Sequence, residues 1–274
     1  MVKTLPGPAG IPALGFGTVR RKGEDGIAPI LAAIESGCRH IDTAQAYGTE
    51  AEVGEAVRRS GLPRDELFVV TKIDPANFGE GKLIPSLEES LRQLEMEAVD
   101  LTLIHWPSPN GEVPLEVYLR QLAEAKARGL TRHIGVSNFP IALLKEATAI
   151  LGEGEIACNQ VELNPLFKNR TLADWCQDAG IGVVCYQPIA GGRMGEDAEI
   201  TAIAEARGAT PAQVALAWEL AKGYCAIPTT SKPERARENM GALELSLTED
   251  EIATIDSIPD VGRRIDPETA PEWD

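Results

Sequence analysis

The stretch VDLTLIHWPSPNGEVPLEVYLRQLAEAKARGLTRHIGVSN, residues 99–138, decides the fold. An apolar segment from Val99 to His105 is followed by an amphipathic one from Leu115 to Arg128, and then by a second apolar segment from Thr131 to Val136. Strand, helix, strand in this order makes a βαβ unit, in which the helix carries the chain back so that two strands run parallel. Working outward, the same alternation covers the chain from about residue 13. The remaining strands are expected at Ala13 to Gly17, Arg39 to Thr43, Leu67 to Lys72, Ile156 to Val161, Gly182 to Tyr186 and Tyr224 to Ile227. Helices are expected at Ile27 to Ser36, Glu50 to Ser60, Lys82 to Met96, Ile141 to Leu151, Thr171 to Asp178, Ala198 to Arg207 and Pro211 to Ala221. Two more lie near Pro233 to Leu243 and Thr248 to Ser257.

Leu83, Leu87, Leu91 and Leu94 share one helical face and read as core packing. Thr210, before a proline at the first helical position, reads as an N-cap. Eight such strands in 274 residues predict an α/β fold: a single (β/α)8 TIM barrel over residues 1–274, with a short N-terminal extension and a C-terminal tail. Neither a flexible linker nor a repeat beyond the βα alternation interrupts it.

Composition narrows the function classes. A net charge of −16, spread over many helices, repels nucleic-acid backbones and anionic membranes, so no nucleic acid and no membrane is expected as partner. No apolar run reaches membrane-spanning length, and the start MVKTLPGPAG does not read as a signal peptide; a cytoplasmic protein is expected. Five scattered cysteines with no CxxC pair read as reduced, buried, small apolar residues rather than a disulfide or metal framework.

In a (β/α)8 barrel the chemistry sits where strands end. Here those positions hold Asp42, with Tyr47 five residues on, Lys72, His105, Ser137 and Asn138, Gln160, and Tyr186. Asp42, Lys72 and His105 close three successive strands and would share one mouth. A buried lysine and aspartate compensate each other, and a cation beside a phenol lowers the tyrosine pKa toward the range of a proton-transfer role. Residue types and spacing alone reach a barrel enzyme with a proton-transfer site. A metal-dependent hydrolase drawing on His40, His105 and His133 lacks an HxH or HExxH pair. A Schiff-base lyase with Lys72 as nucleophile is opposed by the paired Asp42, which keeps the lysine charged. A non-catalytic barrel that senses cofactor redox state is opposed by the complete set of polar strand ends.

The segments HIDTAQAYGTEAEVGEAV, VVTKI, LEMEAVDLTLIHWP, GVSNF, CNQVELNP and IPTTSKPERAREN, in this order from about residue 14 to 245, resemble the aldo-keto reductases. Within that family, LIPSLEESLRQL, LTLIHWPSPN, ATPAQVALAWEL and the ending APEWD look like the bacterial 2,5-diketo-D-gluconate reductase B type, whose members also reduce methylglyoxal-like aldehydes. The resemblance implies an oxidoreductase that reduces small aldehydes or ketones. Its catalytic tetrad would be Asp42, Tyr47, Lys72 and His105, with Tyr47 as proton donor, Lys72 held by Asp42 and His105 orienting the carbonyl. Ser137, Asn138 and Gln160 would hold a nicotinamide carboxamide, and Tyr186 would stack on the ring. Thr18 would join the cofactor site.

At the adenine end the resemblance implies Thr229, Thr230, Ser231, Arg235, Glu238 and Asn239. The family has lysine then serine where Thr229 and Thr230 stand, so one phosphate-binding charge is missing. NADPH is the expected cofactor, with NADH possible. Val19 stands where many relatives have tryptophan, which widens the pocket. Trp106 would form its apolar wall and Trp273 would fold over from the tail. Arg263 and Arg264 read as solvated surface charges, with a substrate-carboxylate contact as the alternative. The resemblance favours a monomer, and the lack of an HxH, HExxH or CxxC pair leaves no metal expected.

Overall fold

The computed structural model describes residues 3–5, 7 and 9–274. Eight strands form one sheet in sequential order: β1 Phe16–Gly17, β2 His40–Asp42, β3 Phe68–Ile73, β4 Val99–Ile104, β5 Thr131–Ser137, β6 Ile156–Glu162, β7 Gly182–Tyr186 and β8 Cys225–Ala226. Every neighbouring pair is parallel. The sheet curls until its ends meet. Leu14 bridges Ala226 in parallel register, Gly15 N donates to Ala226 O at 2.8 Å, and Gly17 N donates to Pro228 O at 2.9 Å. This is the strand order and closure expected of a (β/α)8 barrel.

The helices alternate with the strands: α1 Gly23–Glu35, α2 Glu50–Ser60, α3 Leu83–Leu94, α4 Leu115–Ala127, α5 Ile141–Leu151, α6 Arg170–Asp178, α7 Ala198–Arg207, α8 Pro211–Ala221, α9 Pro233–Met240 and α10 Glu249–Ser257. The apolar stripe of α3 is buried against α2, β3 and α4, as its spacing demands. Thr210 caps α8 in a reciprocal capping box with Gln213. All five cysteines are free and buried. None of the helices in the described residues is long and apolar enough to cross a membrane.

Three boundaries differ from the sequence expectation by more than two residues. Helix α1 begins at Gly23 rather than Ile27, because Gly23 N finds Glu52 Oε1 at 2.8 Å. Gly26 then passes so close to the Arg21 backbone that a Cβ would lie 2.2 Å from Arg21 C, an approach only glycine allows. The first strand is confined to Phe16–Gly17, since Gly15 is packed beneath the His40 ring. At the far end α9 stops at Met240 and continues only as a 3₁₀ turn, Gly241–Glu244.

Candidate active site

The strand register brings the polar ends together. Asp42 ends β2 beside Val70, and Lys72, next to last in β3, lies beside Leu103 one residue short of the end of β4, after which His105 follows. Tyr47 closes the 3₁₀ turn Gln45–Tyr47, and Gly48 at φ +59° takes the chain out of it. That turn is fixed from outside by Gln45. Its Oε1 accepts from Asp74 N at 2.9 Å and Asn77 Nδ2 at 3.0 Å, and its Nε2 donates to Ser86 O at 3.1 Å. Gln45 was not expected to matter from sequence, since nothing local to it signals contacts made with the loop after β3 and with α3.

Lys72 is wholly enclosed. Its Nζ donates to Asp42 Oδ1 at 2.5 Å, to Thr43 O at 2.9 Å and to Tyr47 OH at 3.4 Å. Three acceptors satisfy the three protons of the ammonium, so burial of the charge is compensated. Burial alone would depress the lysine, but Asp42 and Tyr47 together outweigh it and hold its pKa above the ordinary value. The tyrosine corrects an expectation. Lys72 does pull the phenol down, yet burial pushes it up more strongly and Asp42 adds to the rise, so the net shift of Tyr47 is upward. The phenol is thus firmly protonated in the protein. His105 packs edge-on against Tyr47, with ring centroids 5.4 Å apart, and burial, then Lys72, lower its pKa to about 3. The imidazole is therefore neutral at pH 7.

A second hydrogen-bonded set lies beside the first. Ser137 Oγ donates to Gln160 O at 2.8 Å; Asn138 Nδ2 donates to His105 O and to Ser137 Oγ, both at 3.0 Å; Tyr186 OH donates to Asn138 Oδ1 at 2.8 Å. Asn138 has φ +64°, the left-handed conformation that asparagine tolerates better than most residues. Neither Ser137 nor Asn138 caps the helix that follows. The N-terminus of α5 is capped instead by the carboxylate of Asp274, which accepts from Ile141 N at 3.0 and 3.2 Å.

Both sets open into one cavity of about 750 Å³, within the range of small-molecule sites. Thr18, Val19, Asp42, Tyr47, His105, Trp106, Ser137, Asn138, Gln160 and Tyr186 line it, and it continues to Thr229 and Thr230 after β8 and to Arg235, Glu238 and Asn239 along α9. Of the residues expected from sequence, three lie off its wall. Lys72 is beneath the floor, Ser231 is exposed outside the lining, and Trp273 stands behind Trp106, with ring centroids 6.1 Å apart. The lining also includes parts not foreseen: Gly191 and Gly192, both at positive φ in the turn after β7, and Thr210 and Pro211 at the head of α8. The glycine pair was readable as a turn; its place on the cavity wall was not.

Thr229 Oγ1 is shut off from solvent and has no hydrogen-bond partner. An orphaned buried hydroxyl on a cavity wall, beside the exposed Arg235 and the start of a helix, fits a polar, anionic ligand at this end. The tail closes the other side. Glu162, buried at the end of β6, accepts the backbone N–H groups of Arg264 and Ile265 at 2.8–3.1 Å. Arg263 is not a solvated charge. Its guanidinium lies over the Trp273 ring, 3.5 Å from the centroid, and over Phe167 at 4.8 Å, with Nη1 buried.

The aldo/keto reductase family model matches residues 13–260. The chain belongs to the aldo/keto reductase family. It is 47% identical over 265 residues to the methylglyoxal reductase DkgB of Escherichia coli O157:H7, covering 96% of this chain and 99% of that one. It is 40% identical to an aldo-keto reductase of Mycobacterium avium (strain 104), covering 94% and 89%. Among solved structures, one assigned as a 2,5-diketo-D-gluconic acid reductase B superposes with a TM-score of 0.94 at 37% identity, covering 100% and 98%. The aldose reductase of Schistosoma japonicum superposes at 0.91 with 26% identity, covering 98% of each chain. As a member of this family, the chain is an oxidoreductase acting on carbonyl groups.

Proposed function

We propose that this aldo/keto reductase uses NADPH to reduce small aldehydes and ketones of the methylglyoxal or 2,5-diketo-D-gluconate kind, with Tyr47 as general acid. One observation carries the reading: Lys72 Nζ bridges Asp42 and the Tyr47 hydroxyl at the floor of a cavity of about 750 Å³. A nicotinamide cofactor held in the cavity would supply the hydride. The phenol of Tyr47 gives its proton to the substrate oxygen, and the Lys72 ammonium, kept charged by Asp42, stabilises the phenolate left behind. Neutral His105 donates a hydrogen bond to the same oxygen and orients the carbonyl. A lysine with a raised pKa is in the wrong state for a Schiff-base nucleophile, which disfavours the lyase alternative.

Ser137, Asn138, Gln160 and Tyr186 would hold the nicotinamide end, and Thr18, Thr229, Thr230, Arg235, Glu238 and Asn239 the rest of the cofactor. Arg235 at the head of α9, with the Thr229 hydroxyl beside it, is what favours a 2′-phosphate and hence NADPH over NADH. Val19, 36% exposed on the rim, and Trp106, braced by Trp273, would shape the substrate pocket. The whole chain, residues 1–274, would act as one barrel domain and as a cytoplasmic monomer, a reading supported by the tail docked on its own barrel and by five reduced cysteines. The test is loss of NADPH absorbance with a panel of carbonyl compounds, including methylglyoxal, a keto acid and a neutral aldehyde. Turnover with at least one is expected, and no turnover with any would defeat the reading.

A further inference from the structure

Gln160 does something other than face a cofactor. Its Nε2 reaches from β6 to β2, 118 residues away in sequence, and donates to Asp42 Oδ2 at 2.8 Å. The two carboxylate oxygens of Asp42 are thereby divided, Oδ1 to Lys72 and Oδ2 to Gln160, while the Asp42 carbonyl accepts from Thr18 Oγ1 at 2.9 Å and Thr18 N at 3.0 Å. Gln160 is itself pinned through its own carbonyl, which takes Ser137 Oγ and Asn138 N. One Nε2–H goes to Asp42, and the Gln160 Oε1 is left to accept an amide N–H.

We propose that Gln160 is a positioning residue for the Asp42–Lys72 pair: by donating to Asp42 Oδ2 it fixes that carboxylate and disperses its charge, and through its Oε1 it couples the pair to a bound nicotinamide carboxamide. The proposal rests on the reductase reading above. Hydrogen bonds in a chain strengthen one another inside a protein, so an N–H given to Oε1 makes Nε2–H the better donor. A better-solvated Asp42 opposes the loss of the Tyr47 proton less. The sign follows from the neighbours. Tyr47 faces Asp42 and Lys72 directly, with His105 and Tyr186 on the other sides. Asp42 faces Lys72, with neutral His40, Cys158 and Cys225 behind it, and Glu50 lies on the far side of Lys72. Asp42 raises the Tyr47 pKa, so removing its Gln160 partner concentrates negative charge there and raises it further.

The test reads Tyr47 without turnover: the ¹³Cζ resonance of labelled tyrosine in cofactor-free protein, assigned by its loss in Tyr47→Phe, followed against pH. Gln160→Leu should move the midpoint up by about 0.5–1 pH unit, and Gln160→Glu, which keeps the size and adds a second carboxylate beside Asp42, by more. In the alcohol-oxidation direction the pH of half-maximal kcat should rise in parallel. NADPH affinity, measured by fluorescence, should fall by less than kcat falls. Midpoints of both variants coinciding with wild type, with the whole loss in NADPH affinity, would overturn the proposal. Failure of the reductase reading would show differently, as a wild-type protein that turns over no carbonyl compound.

Discussion

The two ends of the cavity are built on opposite principles. At the tetrad end the buried charges are answered: Lys72 has three acceptors, the Asp42 carboxylate has Lys72 and Gln160, and the Asn138 side chain uses both its amide groups. At the far end Arg235 and Glu238 are exposed, and Thr229 Oγ1 is buried with no partner at all. The first end is preorganised in the folded chain; the second holds polar groups left open to a ligand. Proton transfer needs fixed distances and a low-dielectric setting, whereas holding a phosphate needs only charge and reach.

Breaking the closed end should have the larger consequences. Lys72→Met leaves Asp42 charged, buried and short of its main partner, a defect that costs about 3–5 kcal/mol and should appear as a lower urea midpoint together with loss of reductase activity. An unchanged midpoint would mean that the pair is not buried in solution. At the open end Arg235→Ala removes a charge-assisted hydrogen bond worth about 1.5–3 kcal/mol. Its kcat/KM with NADPH should fall roughly ten- to a hundredfold while that with NADH stays nearly level; equal losses with both would remove the phosphate assignment. On stability alone the effect is smaller at the tail. Asp274→Ala strips the cap from α5 and should lower stability by about 1 kcal/mol, a few degrees in Tm. A melting curve identical to wild type would show that the tail does not hold this contact.

The closed end also makes a pH statement. Burial, and then Lys72, press His105 down to about 3, so the ring stays neutral throughout pH 5–9. The kcat/KM profile for reduction should then carry no limb near the ordinary histidine value of about 6.5. A limb there that vanishes in His105→Asn would show that the imidazole titrates during catalysis.

Much of the closed end was legible in the chain because strand periodicity dictates it. Once Arg39 to Thr43, Leu67 to Lys72 and Val99 to His105 are read as adjacent parallel strands, Asp42, Lys72 and His105 fall at neighbouring strand ends; in the structure Asp42 pairs with Lys72, and His105 follows the adjacent strand. The pattern was silent on contacts that cross the barrel or come from the tail. Gln160 on Asp42, Gln45 on the loop after β3, Glu162 on the tail and Asp274 on α5 join residues distant in sequence through side-chain geometry, which no local signal encodes. Arg263 looked like a surface charge because two aromatic rings that shelter it lie elsewhere in the chain. The Tyr47 pKa went the other way from expectation for a related reason: a neighbouring cation can be inferred from strand ends, but the depth of burial that outweighs it cannot.

Whether the closed end is the chemical end is tested most directly by Tyr47→Phe. The ring, its packing on His105 and the Asp42–Lys72 pair are retained, and only the transferable proton is removed. Methylglyoxal reduction with NADPH should lose about 10²–10⁴-fold in kcat, with NADPH affinity and melting temperature close to wild type. A variant that keeps the wild-type kcat would contradict the assignment of Tyr47 as the proton donor.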